Sequence, residues 1–392
     1  MSKWVLQKAA EFCASVRDGT HDSPKSVEGG GKPLVTSKVV KQGVVRVEDA
    51  YLISEKDYRK INERSKVDRW DILMTMIGTV GECAIVKDDP DYAIKNIALF
   101  KMAGDEEKSK WLYYYLTSPT GQGALRGNFR GSSQQYISLD QLRNLEVPVP
   151  EKDVRSRIVA ILSDYDSAID NARRQIALLE EAAMRLYREW FVVKANPKWE
   201  KKRIVDVCVK IGAGGTPNRR QEKYWLNGTI AWIKTKELQD CWLFDSEEKI
   251  TPAGLDGSSA KIYPENTVVM AIYASPTLGR LGIFDKPMCC NQAALCLVAD
   301  ESQVSWEWLY CQLFELRDEF NRIARGAGQQ NISGEVVKET VVRIPDVHAM
   351  FEFTNAARPL FSQCRILGRQ IGNLTEARDR LLPKLMSGEI EV

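Results

Sequence analysis

Arg174-Gln175-Ile176-Ala177-Leu178-Leu179-Glu180-Glu181-Ala182 returns as Arg369-Gln370-Ile371-Gly372-Asn373-Leu374-Thr375-Glu376-Ala377, each position 195 places later. The phase extends outward from this pair. Lys3-Trp4 returns as Lys198-Trp199 and Cys13 as Cys208, again 195 places on. So does Gly131-Ser-Ser-Gln-Gln-Tyr-Ile-Ser138, as Gly326-Ala-Gly-Gln-Gln-Asn-Ile-Ser333. Between these anchors the offset slips slightly, to 196 at Gly19-Thr20/Gly215-Thr216 and to 198 at Thr79-Val80-Gly81/Thr277-Leu278-Gly279. Slips that small are loop insertions in one scaffold. A long period present twice is a tandem duplication, not a solenoid.

Each unit has two parts. Residues 1–150 and 196–346 mix short β-rich runs (Leu34–Val40, Ile72–Ile77, Val268–Ile272) with Gly, Pro and Asn punctuation. Helical stretches are interleaved at Lys110–Ser118 and Trp306–Ala324, and Trp4 and Trp199 head the two parts as core candidates. Each part closes on a proline-bounded strand, Leu145–Pro150 and Val341–Pro345. Residues 151–195 and 347–392 then read as long helices. In the first, Ile158, Leu162, Tyr165, Ile169, Ala172, Ile176, Leu179, Ala183, Leu186 and Trp190 alternate at spacings of four and three. That is a coiled-coil seam. The second helix repeats it with Ala357, Leu360, Cys364, Leu367, Ile371, Leu374, Leu381 and Leu385, interrupted by Arg378.

Each helix spans about 50 Å at 1.5 Å per residue. So narrow a seam needs a cover. Two matching seams in one chain predict an intramolecular antiparallel pair; a homodimeric coil is the other way to cover them. The expected fold class is α+β: two β-rich globular domains separated by two long antiparallel helices, with pseudo-twofold symmetry.

Of the 392 residues, 44% are hydrophobic and 28% charged, and the net charge is +2, as in a soluble globular protein. A nucleic-acid surface on such a chain is a local patch. No apolar stretch has the length of a membrane span and no secretory signal opens the chain, so a cytoplasmic location is expected. The nine cysteines are scattered without a C-x-x-C pair and read as reduced, buried thiols. With only His21 and His348 present, a histidine-based zinc site is not expected. There is no phosphate loop, dinucleotide fingerprint, Asn/Asp-Pro-Pro-Tyr/Phe element or hydrolase triad, and Gly212-Ala-Gly214-Gly215 reads as a turn. The expectation is no catalytic centre, no cofactor and no metal.

The surface points elsewhere. Gly123–Ile137 carries Arg126 and Arg130, no acid, and the run Ser132-Ser133-Gln134-Gln135-Tyr136. Its repeat carries Arg322 and Arg325, then Gln329-Gln330-Asn331. Arginine reaches phosphates and guanine edges, while Gln and Asn make paired bonds to adenine. One such loop alone reads as solvated and idle; the same loop in both copies reads as a partner surface. Further candidates are Thr20 and His21, through to Lys25, and Thr216, Asn218, Arg219 and Arg220. Lys38, Lys41, Lys234 and Lys236 follow predicted strands, where they can anchor phosphates. Tyr273 and Arg280 flank the second Thr-Leu-Gly turn. Double-stranded DNA is the partner these residues suit.

This layout resembles the specificity subunits of Type I restriction–modification systems. Four features carry the resemblance over essentially the whole chain. One is Gly215-Thr216-Pro217 after a short strand, from which Gly19-Thr20-His21 departs. The others are the Gly-x-x-Gln-Gln-x-Ile-Ser stretches, the Val147-Pro-x-Pro150 entry to the first helix, and the ending Arg380-Leu-Leu-Pro-Lys384-Leu-Met-Ser387-Gly388-Glu389-Ile.

The resemblance implies that each globular part is a target-recognition domain reading one half of a bipartite, asymmetric site. It implies that the helices act as a ruler between them. Two modification subunits, adenine-N6 methyltransferases using S-adenosylmethionine, clasp the helices, and restriction and motor subunits join for cleavage. The chain itself binds no methyl donor. Two alternatives differ in class. A stand-alone DNA-binding regulator needs a third domain for dimerisation or ligand, and none remains here. A coiled-coil scaffold without DNA has no use for arginine and Gln-Gln loops repeated in phase.

Overall fold

Val5–Lys8 pairs antiparallel with Glu146–Val149, and Glu200–Arg203 pairs the same way with Val341–Ile344. Each strand stands 195 positions from its counterpart: Val5 to Glu200, Glu146 to Val341. These ribbons belong to a computed structural model that describes residues 4–41, 43–130, 135–273, 277–326 and 331–392. The chain forms two compact units, Met1–Ala168 with Leu374–Val392, and Ile169–Asn373.

In the head of the first unit, the central sheet runs Ser15–Asp18, Ile97–Lys101, Ile72–Thr75, Cys83–Ile85. The second head repeats the order with Cys208–Ala213, Ala294–Ala299, Val268–Ala271 and Leu281–Phe284, and adds Cys241–Leu243 at the edge. A smaller sheet accompanies each: Tyr51–Ile53, Lys32–Val35, Ala93–Ile94, and Glu248–Ile250, Ile230–Ile233, Cys289–Cys290. In both, the last-named strand runs parallel to the middle one. The two heads are one scaffold.

Central strands such as Ile72–Thr75 and Val268–Ala271 are buried at every residue, which is why they read as unbroken apolar runs. Side chains alternate between faces. Ile72, Met74, Ala98 and Phe100 pack with Trp111 and Tyr115, whereas Leu73, Ile97 and Leu99 pack with Val35 and Ile94. The helix supplying Trp111 spans Glu106–Thr117 and is capped by Asp105, which accepts from the Lys108 amide. Its counterpart is Trp306–Glu315, and Arg317–Gly326 follows it as Pro119–Arg126 follows in the first head, so the single stretch expected over Trp306–Ala324 is two helices.

The Gly212–Gly215 turn also needs correction. Gly212 lies in the strand Cys208–Ala213, where a side chain would meet the Tyr263 hydroxyl at 2.6 Å. The strand ends before Gly214, whose added Cβ would sit 2.0 Å from the Cys290 carbonyl oxygen.

The long helices are Lys152–Arg188 and Val347–Ser387. In the second unit the Cys364 thiol donates to the Ile176 carbonyl and Tyr187 packs on Phe353, so one helix descends as the other rises. They are antiparallel. Among the seam positions, Ile158, Leu162, Ile169 and Leu367 are buried; Tyr165, Ile176, Leu179, Leu186, Leu360, Ile371, Leu374 and Leu381 are partly buried. Burial extends past a strict seam. Val159, Leu382 and Met386 join the Trp111 core, and Tyr187, Phe353 and Phe361 join the core of Trp306 and Trp308. Within each unit, the helix segments therefore seal that unit's head as well as one another. Among the described residues, no helix is long and apolar enough to cross a membrane.

Candidate nucleic-acid interface

The loops singled out from sequence meet at one end of each central sheet. In the first head, Thr75 and Ile97 face each other at that end. Just beyond, the Gly78 amide donates to the Gln135 carbonyl (3.1 Å) and the Ile137 amide to the Met76 carbonyl (3.0 Å). Arg130 and Tyr136 exchange two backbone bonds of 2.9 Å. From the neighbouring strands, Gly19 N–H donates to Ile97 O (2.9 Å) and Asn96 N–H to Thr20 O (3.1 Å). Lys95 N–H reaches Val35 O, which draws in the loop bearing Lys38. Thr20, His21, Asn96, Gln135 and Tyr136 thus share one rim.

The second head repeats several of these backbone bonds among the described residues. The Ile332 amide donates to Ile272 O (3.0 Å), matching Ile137 to Met76. Gly215 N–H donates to Cys290 O (3.0 Å), and Asn291 N–H to Ile233 O (2.9 Å), bringing Lys234 alongside. Thr216, Lys234, Tyr273 and Asn331 are gathered here, and the Ala271 amide donates to the Arg280 carbonyl (2.9 Å) nearby. Tyr136 and Tyr273 are each 41% exposed.

The repeated Gly-x-x-Gln-Gln-x-Ile-Ser stretch divides by role. Ile137 and Ile332 are buried, and Ser138 and Ser333 cap the helices Leu139–Arg143 and Gly334–Glu339 by accepting from Gln141 and Val336 amides. The Ile-Ser end is scaffold. Ser133, Gln134, Gln329 and Gln330 lie outside the described residues, and Arg325 lies in the helix Arg317–Gly326. Gln135, Arg126, Arg130, Lys38, Asn218, Arg220 and Arg322 are exposed.

Several candidates already have partners inside the head. His21 sits between Asn96 (Nδ1 to Oδ1, 2.8 Å) and the buried Asp18 (Nε2 to Oδ2, 3.0 Å), and Arg64 binds the same Asp18. The Thr216 hydroxyl donates to Gln292. Arg219 makes two bonds to Glu248 (2.9 and 2.8 Å) and stacks over Trp225 and Trp232, 3.8 and 4.9 Å from the ring centres. Lys234 pairs with Glu247 and Glu248, and Lys236 with Glu247. Arg219, ahead of Lys234, pulls the Glu248 carboxyl down to about 2. These three cations brace the Thr216–Arg220 loop and its neighbour, and their charge is spent within the head.

Sequence reasoning passed over the bracing groups Asp18, Arg64, Asn96, Gln292 and Glu248. One signal was available: Asn96 returns as Asn291, and Asn96 adopts a left-handed φ of 52°, which suits asparagine at a tight rim.

Each of the two heads gathers polar and basic loops at the same end of one sheet scaffold. Residues 1–181 and 196–349 each match the Type I restriction modification DNA specificity domain, and the chain belongs to that family. It is 25% identical over 419 residues to the specificity subunit of the Type I restriction enzyme MjaIX of Methanocaldococcus jannaschii, covering 99% of this chain and 94% of the other. It is 25% identical to the EcoR124I/EcoR124II specificity subunit of Escherichia coli over 195 residues, 48% of this chain and 47% of that one. Among solved structures, the Type-I restriction-modification S subunit from M. genitalium matches with a TM-score of 0.59 at 14% identity, over 98% of this chain and 96% of that one. That likeness establishes the fold. The chain is a specificity subunit, a non-catalytic component of a restriction–modification system.

Proposed function

We propose that each head reads one half of a bipartite, asymmetric site in double-stranded DNA, and that the helix pair sets the unspecified gap. On this reading the helices also seat two adenine methyltransferase subunits, which bring the methyl donor, and restriction and motor subunits join for cleavage. One observation carries the proposal. Corresponding backbone bonds, Ile137 to Met76 and Ile332 to Ile272, present loops that differ in side chain, Tyr136 against Asn331. A common frame with different side chains is what two different half-sites require. The test is methylation mapping in a host carrying this chain with its methyltransferase subunit. Gln134→Ala with Gln135→Ala is expected to relax one half-site and leave the other intact. If both halves respond, or neither does, the loop assignment fails.

A further inference from the structure

Arg378 interrupts the second apolar seam, and its surroundings explain why a charge is kept there. Its Nη1 donates to Asp166 Oδ1 of the first helix at 2.7 Å. Asp166 Oδ2 accepts the Tyr114 hydroxyl, also at 2.7 Å, and Asp379 receives Nε and Nη2 of Arg378 at 3.0 and 2.8 Å. Arg378 and Asp166 are each 28% exposed, so most of both side chains is out of water. All of these residues belong to the first unit.

The duplication supplies the control. Adding 195 to Asp166 gives Phe361, and subtracting 195 from Arg378 gives Ala183. Both are buried, at 4% and 2% exposure, in the core of the second unit. The same antiparallel crossing is therefore built twice in one chain, once as an ion pair and once from apolar side chains.

We propose that the Asp166–Arg378 pair selects which helix pairs with which, favouring first with second over either helix with its own kind from another copy. The two seams are similar enough that like can pair with like in the same geometry. A first–first pair sets Asp166 against Ala183, leaving the carboxylate with Tyr114 and no cation. A second–second pair sets Arg378 against Phe361, with only the Asp379 of its own helix. Asp379 travels with Arg378 and cannot discriminate; Asp166 can. A polar group in a seam costs stability and gains choice of partner, because the wrong pairing strands a desolvated charge. A swap that pairs the first helix of one copy with the second of another keeps the ion pair, so the device separates like from unlike and nothing more. It does not depend on how the heads read DNA.

The test uses full-length chains carrying two different affinity tags, co-expressed and purified through one tag. Asp166→Phe with Arg378→Ala gives both halves the same apolar crossing. These chains are expected to fold, and recovery of the second tag to rise about tenfold or more over the wild type. Folded chains with unchanged recovery overturn the proposal. Charge variants guard against a variant that does not fold. Asp166→Arg alone sets two arginines together and is expected to raise recovery, and adding Arg378→Asp to bring it back to the wild-type level. Failure of the reversal to bring it back also overturns the proposal.

Discussion

Arg219→Ala tests whether a basic side chain at the rim serves DNA or the loop beneath it. The guanidinium makes two bonds to Glu248 and lies over two indoles, with side-chain exposures of 50% for Arg219 and 36% for Glu248. The cation–ring contact is worth about 0.5–1 kcal/mol at such a site. The drop of the Glu248 carboxyl from 4.5 to about 2 is worth roughly 3 kcal/mol at face value. Lys234 shares that effect and solvent screens it, which leaves about 1 kcal/mol for Arg219. The variant should therefore lose about 1.5–2 kcal/mol at pH 7, or about 4–6 °C in melting temperature for a unit of this size.

The pH dependence has a definite sign. A carboxylate held low in the folded state stabilises above its unfolded value and loses that stabilisation as pH falls toward the folded value. The difference between parent and variant should thus be full above about pH 4.5 and shrink below it, toward the ring contact alone. Urea unfolding followed by tryptophan fluorescence at pH 7, 5, 4 and 3.5 measures it. A difference that stays constant over that range, or no difference at pH 7, would falsify the bracing role and return Arg219 to the pool of DNA contacts.

Three further outcomes are expected. Arg358 holds Glu307, whose side chain is 0% exposed, with Nε to Oε1 at 2.6 Å. Arg358→Ala should cost about 2–4 kcal/mol in urea unfolding, and Glu307→Gln with Arg358→Met should recover most of it; equal losses in both variants contradict the account. Burial pushes the thiols of Cys13, Cys208, Cys289 and Cys364 up to about 12 and that of Cys241 to about 11. Mass spectrometry should find them unmodified by iodoacetamide at pH 8 in the native protein and modified in urea, and native labelling at Cys13 counts against it. Inserting four residues, about 6 Å, into each long helix should widen the methylated gap by one or two base pairs, at about 3.4 Å per pair. An unchanged gap refutes the ruler.

The duplication was legible because both copies keep residues that make the same contacts. The period placed two β-rich domains and two long helices, while the strand order and the two ribbons came only with the structure. It could not show that the helices carry a second buried stripe. Val159 and Leu382 read as ordinary variation in a heptad until the head that covers them is in place. The rim was legible in part. Exposed polar runs announce a loop, and the buried Ile137 and Ile332 announce where it is tethered. What a sequence does not carry is which acid neutralises which base. Glu248 lies 29 positions from Arg219, and Asp18 lies 46 from Arg64. Strand pairing brings them together, and neither spacing has a local signature.

The bracing also bears on charge. Arg219, Lys234 and Lys236 are neutralised by Glu247 and Glu248, which helps explain how basic loops coexist with a net charge of only +2. The two heads reach this state by different routes. The first ties its Gly-Thr loop through Asp18, His21 and Asn96; the second uses Gln292 and an arginine stacked on tryptophans. Yet the backbone bonds that hold each rim to its sheet correspond. Side-chain anchors can therefore be exchanged without moving the frame, because the frame is held by main-chain groups that no substitution short of proline removes. On the proposed reading, this separation lets one duplicated scaffold present two unlike surfaces to an asymmetric site. It leaves the net electrostatic attraction to exposed arginines such as Arg126, Arg130, Arg220 and Arg322, which have no carboxylate partner among the described residues. On that reading, such arginines carry phosphate contacts, and the side chains that differ between the two rims carry the choice of bases.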